Sequence, residues 1–377
     1  LTQKINGTLY GNNDYKSLEG FTGSFTTLNS AKKGDIVIRH KINGKGVEIA
    51  NKKNVACIIT LHPLDDCLEL ADKLKYPIIV VNKIEEANAY AIKWTVENFA
   101  PNTKRVVVTG TNGKSTTTHM VYHILKNTGA KVFTNTDARS EFNTLIDPMV
   151  PKLLVQSYNE QKGLDYLVVE VSEVQGWEDY FMKNHAYLMS KAINQDVSVV
   201  TNVAMDHIGL VHDVEEVKEE TEGLIKSLTH GTAVLNYDDE RVRIMDETVK
   251  EDCNIFYLTM NPDNLENIKT TNKINKLSYS DEKEAIIYED KIFLKLDELP
   301  FQSHHFIQNT LSAIASTISL NIPLEQIKEG VRSYKPLKRR FVTLNEKPLI
   351  IDDFAHNPEG IKATIQSACK TANKKNL

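Results

Sequence analysis

The segment RVVVTGTNGKSTTTHMVYHILKN, residues 105–127, determines the architecture that this chain is expected to adopt. Its first part, Arg105 to Thr109, is apolar and is typical of a buried parallel strand. Its last part, Lys114 to Asn127, places apolar residues on one helical face and ends just before Gly129, a common residue after a helix end. The loop between them would point backbone N–H groups and a helix N-terminus at phosphate oxygens.

This loop is predicted to bind a nucleotide, with Lys114 adding a charge near the β- and γ-phosphates and the Ser115 hydroxyl ligating Mg²⁺. The full phosphate-loop motif, GxxxxGK[ST], begins with a glycine, and Val108 stands at that position, so the loop is a variant. A glycine turn that contains GKS by chance is the alternative. The residues expected to contact the nucleotide are Gly110, Thr111, Asn112, Gly113, Lys114, Ser115 and Thr116.

Two further apolar segments end in residues that could hold a metal ion. Glu170 ends the segment that begins at Tyr166, and His207 follows the segment that begins at Val197. Because ligands gather at the carboxyl ends of strands in an open parallel sheet, Lys114, Glu170 and His207 are expected at one edge. A glutamate suits Mg²⁺, whereas histidine is a less usual ligand for it. Taken singly, each residue has an alternative role as a solvated or hydrogen-bonded loop residue.

Several motifs, spread over about residues 104–358, resemble in their order those of the Mur ligases, which are ATP-dependent amide-bond synthetases. They are Gly110–Thr117, Glu170–Ser172, Thr201–His207, Asn236–Asp239, Asn309 heading a helix from Leu311 to Leu320, Arg340, and Asp353–Pro358. The resemblance implies an α/β fold with a small N-terminal α/β domain and a central phosphate-loop ATPase domain with a mostly parallel sheet. The start of a Rossmann-like C-terminal domain would follow.

The predicted domains are residues 1–101, a nucleotide-sugar-binding domain; 102–346, the ATP-binding domain; and 347–377, the beginning of the C-terminal domain. In the family the strand near 349–352 opens a whole third domain, so the chain is expected to be cut short there. The predicted elements of the first domain are strands at 35–39, 55–60 and 78–81 and a helix at 85–98, with a linker at 101–102. Residues 259–300 are polar and predict a meander of exposed strands.

The resemblance also implies roles for single residues. Lys114, Glu170 and His207 would be catalytic, with Ser115 holding one Mg²⁺ and Glu170 and His207 holding a second near the substrate carboxylate. Asn309, Arg340 and Asp353 would bind the base and ribose of ATP. Asn143 and Thr144, which match the family's Thr-Thr-Pro loop only in part, would contact the substrate together with Ser172.

Two departures from the family pattern are visible. The carbamoylated lysine expected 14 or 15 residues after His207 is replaced by Thr221 or Glu222. Glu222, or Glu220 from the preceding turn, could supply a carboxylate for the second Mg²⁺; the alternative is a solvated acidic helix face over residues 215–222. Phe306 stands where the family has a further asparagine of its adenine pocket.

The resulting prediction is an ATP- and Mg²⁺-dependent ligase that joins an amino acid to a UDP-linked peptide precursor through an acyl phosphate. The N-terminal hundred residues argue against folate polyglutamate synthetases, whose phosphate loop lies near the N-terminus, and the departures favour the archaeal pseudomurein peptide ligases. The alternatives are a ligase like that of coenzyme F430 synthesis, a cyanophycin-type ligase, or a phosphate-loop NTPase that acts as a switch.

Composition agrees with this prediction. The net charge of −5 gives no reason to expect nucleic acid, and no run of 18 apolar residues predicts membrane insertion. The four cysteines lack metal-binding spacing, which suits a reducing cytosol, and the first residues lack the pattern of a signal peptide. A cytoplasmic monomer is therefore expected.

Overall fold

The computed structural model describes residues 1–12, 21–136, 148–178, 180–266, 268 and 270–374. Its N-terminal part contains a five-stranded sheet with the order β1-β5-β4-β3-β2, parallel except for the antiparallel edge strand β1. The elements are β1 (Gly7–Tyr10), β2 (Phe25–Thr26), β3 (Ile36–Ile42), α1 (Gly44–Lys52), β4 (Cys57–Pro63), α2 (Cys67–Leu74), β5 (Ile78–Val81) and α3 (Ile84–Phe99). The three strands and the helix predicted from the sequence are confirmed.

The central part is built on a nine-stranded sheet with the order β16-β15-β14-β13-β12-β11-β6-β8-β7. Its strands are β6 (Lys104–Thr109), β7 (Val132–Thr134), β8 (Tyr166–Glu170), β11 (Val197–Val200), β12 (Thr232–Asn236), β13 (Asn254–Thr259), β14 (Ile274–Ser280), β15 (Ala285–Tyr288) and β16 (Lys291–Lys295), and a small separate hairpin holds β9 (Gly176–Trp177) and β10 (Tyr180–Phe181). In the large sheet, β6, β7, β8 and β11 to β14 run parallel, whereas β15 and β16 pair antiparallel. The mostly parallel sheet of the prediction is confirmed.

Helices cover both faces of this sheet because its strands bury both of their faces. Along β6, Val107 belongs to one hydrophobic cluster while Val106 and Val108 belong to the other, as the alternation of side chains along a strand requires. The helices are α4 (Lys114–Asn127), α5 (Met149–Gln161), α6 (His185–Ile193), α7 (Val214–Ser227), α8 (Glu240–Arg243), α9 (His304–Ser319) and α10 (Leu324–Arg332). Helices α4, α9 and α10 pack on one face, and α5 to α8 pack on the other.

The N-terminal and central sheets share helix α3. Ile84 and Ala91 of this helix pack in the core of the N-terminal sheet, while Ile92 and Val96 pack in a core of the central sheet. A buried ion pair adds to the contact, since Lys152 Nζ on α5 lies 2.7 Å from Asp35 Oδ2 at the start of β3. The two sheets are therefore joined by packing as well as by the chain.

The segment between α3 and β6 is fixed by the buried side chain of Arg105. Its guanidinium donates to the carbonyl oxygens of Ala100 (3.1 Å), Pro101 (2.9 Å), Ile193 (2.8 Å) and Asn194 (3.4 Å). Hydrogen bonds from a charged donor are stronger than those between neutral groups. The segment predicted as a linker is thus bound to the sheet at its first strand.

Three sequence-based expectations need correction. The segment 259–300 is not an exposed meander, because β14, β15 and β16 extend the large sheet and bury Leu277, Ile286 and Leu294. Asn309 does not head its helix, since α9 begins at His304. The expected boundary at residue 346 falls inside a hairpin of β17 (Val342–Glu346) and β18 (Leu349–Asp352), which α11 (Pro358–Lys374) follows.

Within the described part of the chain, no helix is both long enough and apolar enough to cross a membrane.

Candidate functional site

A cavity of about 350 Å³ lies at the carboxyl ends of β6, β8 and β11, where the sequence placed the site. The predicted site residues that line it are Thr111, Asn112, Gly113, Lys114, Ser115, Thr116, Glu170, Ser172, His207, Asn309, Arg340 and Asp353. Another part of the wall comes from the C-terminal segment, namely Arg340, residues 353–356 and the first turns of the helix that begins at Pro358. The structure therefore brings nearly all of the predicted residues together.

Two glycines give the loop between β6 and α4 its shape. Gly110 has a φ of +119°, and a Cβ there would lie 2.3 Å from Thr201 Oγ1. Gly113 has a φ of +87°, and a Cβ there would lie 2.2 Å from Asn309 Oδ1. Only glycine combines these backbone angles with such close neighbours. The N-terminal end of α4 consequently opens directly into the cavity.

Side chains and backbone after β11 hold the loop in place. The Thr111 hydroxyl donates to the Ala204 carbonyl at 3.1 Å and accepts from the Ala204 N–H at 2.9 Å. The Asn112 N–H donates to Asn202 Oδ1 at 2.9 Å, and Asn202 Nδ2 donates to the Asn112 carbonyl at 2.7 Å. The phosphate-binding geometry is therefore preorganised by a neighbouring strand.

Lys114, at the first position of α4, lies on its own loop. Its ammonium donates to the carbonyls of Gly110 at 2.6 Å and Thr111 at 3.0 Å. The same Nζ lies 2.8 Å from Oε2 of Glu173, a residue of the loop after β8 that the sequence analysis did not select. The Lys114 side chain is 12% exposed and lines the cavity, whereas that of Glu173 is fully buried behind it, so this is a buried ion pair next to the cavity.

Glu170 binds hydroxyl groups at the end of β8. It accepts hydrogen bonds from Thr136 Oγ1 at 2.7 Å and from Ser115 Oγ at 3.2 Å. Ser115 Oγ in turn accepts from Arg340 Nη2 at 3.1 Å. Burial raises the pKa of the Glu170 carboxyl, and the nearby charge of Lys114 and the bond from Thr136 offset only part of that effect. Glu170 therefore orients Ser115 in the cavity.

In the described part of the structure, Glu173, Asp206 and His207 form a group that could hold a metal ion. One ligand atom from each of these three residues lies within 4.8 Å of the others. Among the residues that the structure describes, none donates a hydrogen bond to either carboxylate oxygen of Glu173. His207 has a φ of +55°, an unusual backbone conformation that is often found at functional sites. Two carboxylates are ligands that Mg²⁺ favours, so these residues fit the expected cofactor.

Asp206 stays charged in this position. Burial alone would raise its pKa, but the bond from the His207 N–H at 2.7 Å, Asn357 Nδ2 at 3.2 Å and the nearby imidazoles hold that pKa below its usual value. An ionised carboxylate is the form that binds a cation.

The predicted metal ligands are therefore only partly brought together. His207 joins Glu173 and Asp206, and Ser115 and Glu170 lie in the same cavity, but Glu222 does not line it. The Glu222 carboxylate accepts a hydrogen bond from Thr248 and pairs with Lys226 at 3.1 Å, so its expected role as a metal ligand is not supported by its position. Glu220 is also engaged elsewhere, since it accepts from the Asn184 N–H at 3.0 Å.

Of the predicted substrate contacts, Ser172 lines the cavity and donates to the Val174 carbonyl at 2.6 Å. Asn143 and Thr144 lie outside the described residues, so their predicted role remains a prediction.

The C-terminal segment meets the phosphate loop through paired amides. Asn357 Nδ2 donates to Asn112 Oδ1 at 3.0 Å, and Asn112 Nδ2 donates back to Asn357 Oδ1 at 3.2 Å. Asp353 accepts from the Phe341 N–H at 3.1 Å, and the Arg340 guanidinium lies 5.1 Å from the centre of the Phe354 ring. The cavity is thus enclosed by both parts of the chain.

Comparison with known proteins places this geometry in a family. A family model described as the Mur ligase middle domain matches residues 108–317. The chain is 28% identical over 287 residues to the cyanophycin synthetase of Crocosphaera subtropica, with 68% of the chain and 30% of that protein covered. It is 26% identical over 276 residues to the UDP-N-acetylmuramate–L-alanine ligase of Hydrogenobaculum sp., with 72% and 54% covered. The chain therefore spans about half the length, or less, of these relatives.

Solved structures show the same fold. The MurF structure from Acinetobacter baumannii matches with a TM-score of 0.69 at 20% identity, covering 97% of this chain and 74% of that one. The MurF ligase of Thermotoga maritima, solved in complex with ADP, matches with a TM-score of 0.62 at 20% identity, covering 93% and 75%.

Proposed function

Because the chain belongs to the Mur ligase family, we propose that it carries the ATP-binding and acceptor-binding parts of an ATP-dependent carbon–nitrogen ligase. The reaction would join an amino acid to a UDP-linked peptide precursor. The observation that carries this proposal is the position of the phosphate loop, whose Lys114 lies 2.8 Å from a buried carboxylate of the Glu173–Asp206–His207 cluster. The names of the UDP-N-acetylmuramate–L-alanine ligases among the relatives support the class of acceptor.

Such a bond requires activation of a carboxylate, because its oxygen is a poor leaving group at neutral pH. A carboxylate oxygen of the acceptor attacks the γ-phosphorus of ATP, and the bond from that phosphorus to ADP breaks. The amine of the second substrate then attacks the acyl phosphate, inorganic phosphate leaves and the amine loses a proton. Phosphoryl transfer of this kind depends mostly on positioning and on neutralisation of charge.

Residues in and next to the cavity would supply both the positioning and the neutralisation of charge. The N–H groups at the start of α4, together with Lys114, would bind the phosphates. Asn309, Arg340 and Asp353 lie on the cavity wall where they would contact the rest of the nucleotide. Glu173, Asp206 and His207 would hold Mg²⁺, with Ser115 on the phosphate side of the cavity. Bound there, Mg²⁺ would neutralise negative charge that develops during transfer.

We further propose a pseudomurein-type acceptor and a cytoplasmic location, where ATP and UDP-linked precursors would both be present. The absence of lysine at Thr221 and Glu222, which departs from the pattern of the standard ligases, supports this branch of the family.

A phosphate-release assay tests the proposal. The full chain would be incubated with ATP, Mg²⁺ and UDP-linked acceptors of murein and pseudomurein type, each with a panel of amino acids. We expect phosphate release only with an acceptor, and a hydroxamate when hydroxylamine traps the acyl phosphate. Lys114→Ala should abolish release, whereas Lys126→Ala, on the exposed end of the same helix, should not. Equal release without any acceptor would contradict the ligase and support a nucleotide-driven switch.

A further inference from the structure

Glu173, buried behind the cavity residues Lys114 and His207, has two competing uses. Its Oε2 is 2.8 Å from Lys114 Nζ, and its Oε1 is 3.9 Å from His207 Nε2 on the side of the metal cluster. The side chain is fully buried, and no described residue donates a hydrogen bond to either oxygen. A buried carboxylate without hydrogen bonds depends on a nearby cation for its stability.

Lys114 is also fully engaged in this arrangement. Its ammonium donates to two carbonyls of its own loop, Gly110 and Thr111, and forms the ion pair with Glu173. In this position its hydrogen bonds are made with groups of the protein. To serve a nucleotide, the side chain has to leave Glu173, which its flexible four-carbon stem allows.

We propose that Glu173 is a positioning residue that couples the binding of a divalent cation to the binding of nucleotide, an inference that rests on the proposed function. Glu173 holds Lys114 back on the phosphate loop. When Glu173, Asp206 and His207 hold a divalent cation, the Glu173 carboxylate would no longer retain Lys114, and the ammonium would be free to bind the phosphates.

The geometry explains why the Lys114 ammonium and a divalent cation would compete for the Glu173 carboxylate. Mg²⁺ binds carboxylate oxygens at about 2.1 Å, so an ion in the cluster lies close to the ammonium that contacts the same carboxylate. Two positive charges at such a separation repel each other, and the repulsion is strong where water is excluded. The neutral carbonyls of Gly110 and Thr111 would remain as weaker partners, so the lysine moves toward the negative charge of the nucleotide.

A double-mutant cycle on ADP binding tests this coupling. Isothermal titration calorimetry would measure the Kd of ADP in EDTA and in Mg²⁺ for four proteins: the unchanged chain, Glu173→Gln, Lys114→Ala and the double variant. In EDTA, Glu173→Gln should tighten ADP binding about tenfold, because the lysine is free to reach the phosphates. In the Lys114→Ala background the same change should alter the Kd less than about twofold.

Asp206→Asn is the matched control, because it removes a carboxylate from the same cluster that makes no contact with Lys114. Asp206→Asn should weaken the effect of Mg²⁺ on the Kd of ADP. In EDTA it should change that Kd by the same factor whether residue 114 is lysine or alanine. An equal gain from Glu173→Gln with and without Lys114 would overturn the inference, since simple removal of negative charge near phosphate would explain it. No gain in either background would overturn it as well.

A second measurement follows the lysine itself. Limited acetylation and peptide mass spectrometry would compare the labelling of Lys114 with that of the exposed Lys126. Mg²⁺ should increase the labelling of Lys114, and in Glu173→Gln the labelling should be high already and insensitive to Mg²⁺. Labelling of Lys114 that is the same with and without Mg²⁺ and in Glu173→Gln would refute the coupling. Failure of the unchanged chain to bind ADP in Mg²⁺ is a different result, because it would refute the proposed function.

Discussion

Replacing Lys114 by alanine should destabilise the protein, because it leaves the charge of Glu173 buried without a counter-ion. At the observed 2.8 Å and an effective dielectric constant of about 20, the attraction between the two groups amounts to about 6 kcal/mol before desolvation is counted. Removing one partner of a buried pair costs about 3–5 kcal/mol. The 12% exposure of Lys114 places the expected loss at the lower end, about 3 kcal/mol.

Differential scanning calorimetry would measure this loss as a change in the Tm of the transition in which the central sheet unfolds. A loss of about 3 kcal/mol corresponds to about 6–12 °C in a domain of this size. The double variant Lys114→Ala/Glu173→Gln should recover most of the difference, because the buried charge is gone. Lys126→Ala is the control, since its exposed ammonium contacts the nearby Tyr122, donating to the hydroxyl at 2.9 Å, and the change should shift the free energy of unfolding by less than about 0.5 kcal/mol.

Two results would refute this reasoning. One is a Lys114→Ala variant as stable as the unchanged chain, which would mean that the ion pair contributes little. The other is a double variant as unstable as Lys114→Ala, which would mean that the loss comes from the helix terminus and not from the unpaired buried charge of Glu173.

Three further variants test other parts of the site. His207→Ala should raise the Mg²⁺ concentration needed for tight ADP binding, because it removes one member of the metal cluster; an unchanged Mg²⁺ titration would make the residue structural. Gly113→Ala should weaken ADP binding about tenfold or more, because its Cβ would meet Asn309 Oδ1 at 2.2 Å, whereas Gly129→Ala, which has a similar φ but open space around it, should leave the Kd unchanged. Glu222→Gln should leave the Mg²⁺ titration unchanged, since its carboxylate lies outside the cavity, and a weaker Mg²⁺ response would restore it as a ligand.

The sequence was sufficient to predict the part of the site that local rules control. Apolar periodicity located β6 and α4, and the helix bounds Lys114 and Asn127 agree with the structure. The tendency of ligands to collect at strand ends correctly placed Lys114, Glu170 and His207 around one cavity. These rules depend on neighbours in the chain or on the general form of parallel sheets, and both can be seen in a single sequence.

The grouping of Glu173 with Asp206 and His207 could not be predicted in the same way. Which of Glu170 and Glu173 faces Lys114 depends on how the chain turns after β8, and that turn depends on packing. The Glu170 carboxylate accepts a hydrogen bond from the hydroxyl of Thr136, which follows β7 and is distant in sequence. A glutamate three residues after the selected one, just beyond the strand end, was the available signal for Glu173.

Glu222 shows a different limit. Counting residues from His207 gives a position along α7 but not the direction in which that side chain points. In the structure the side chain points toward Thr248 and Lys226, away from the cavity. The face of a helix that meets a site is set by tertiary packing, which the spacing of one motif does not determine.

The bonds that Arg105 makes with Ala100, Pro101, Ile193 and Asn194 have a consequence for the two substrates of the proposed reaction. The segment before β6 is not a free hinge, because the Arg105 side chain at the start of that strand holds it by hydrogen bonds. The same strand continues through the interior of the sheet and ends at the phosphate loop. Together with the shared helix α3 and the Lys152–Asp35 pair, these hydrogen bonds fix the N-terminal sheet against the central sheet. A molecule held on the N-terminal sheet and a nucleotide held at Gly113 would keep a constant separation, so the motion needed to admit and release them has to come from the wall formed by the C-terminal segment.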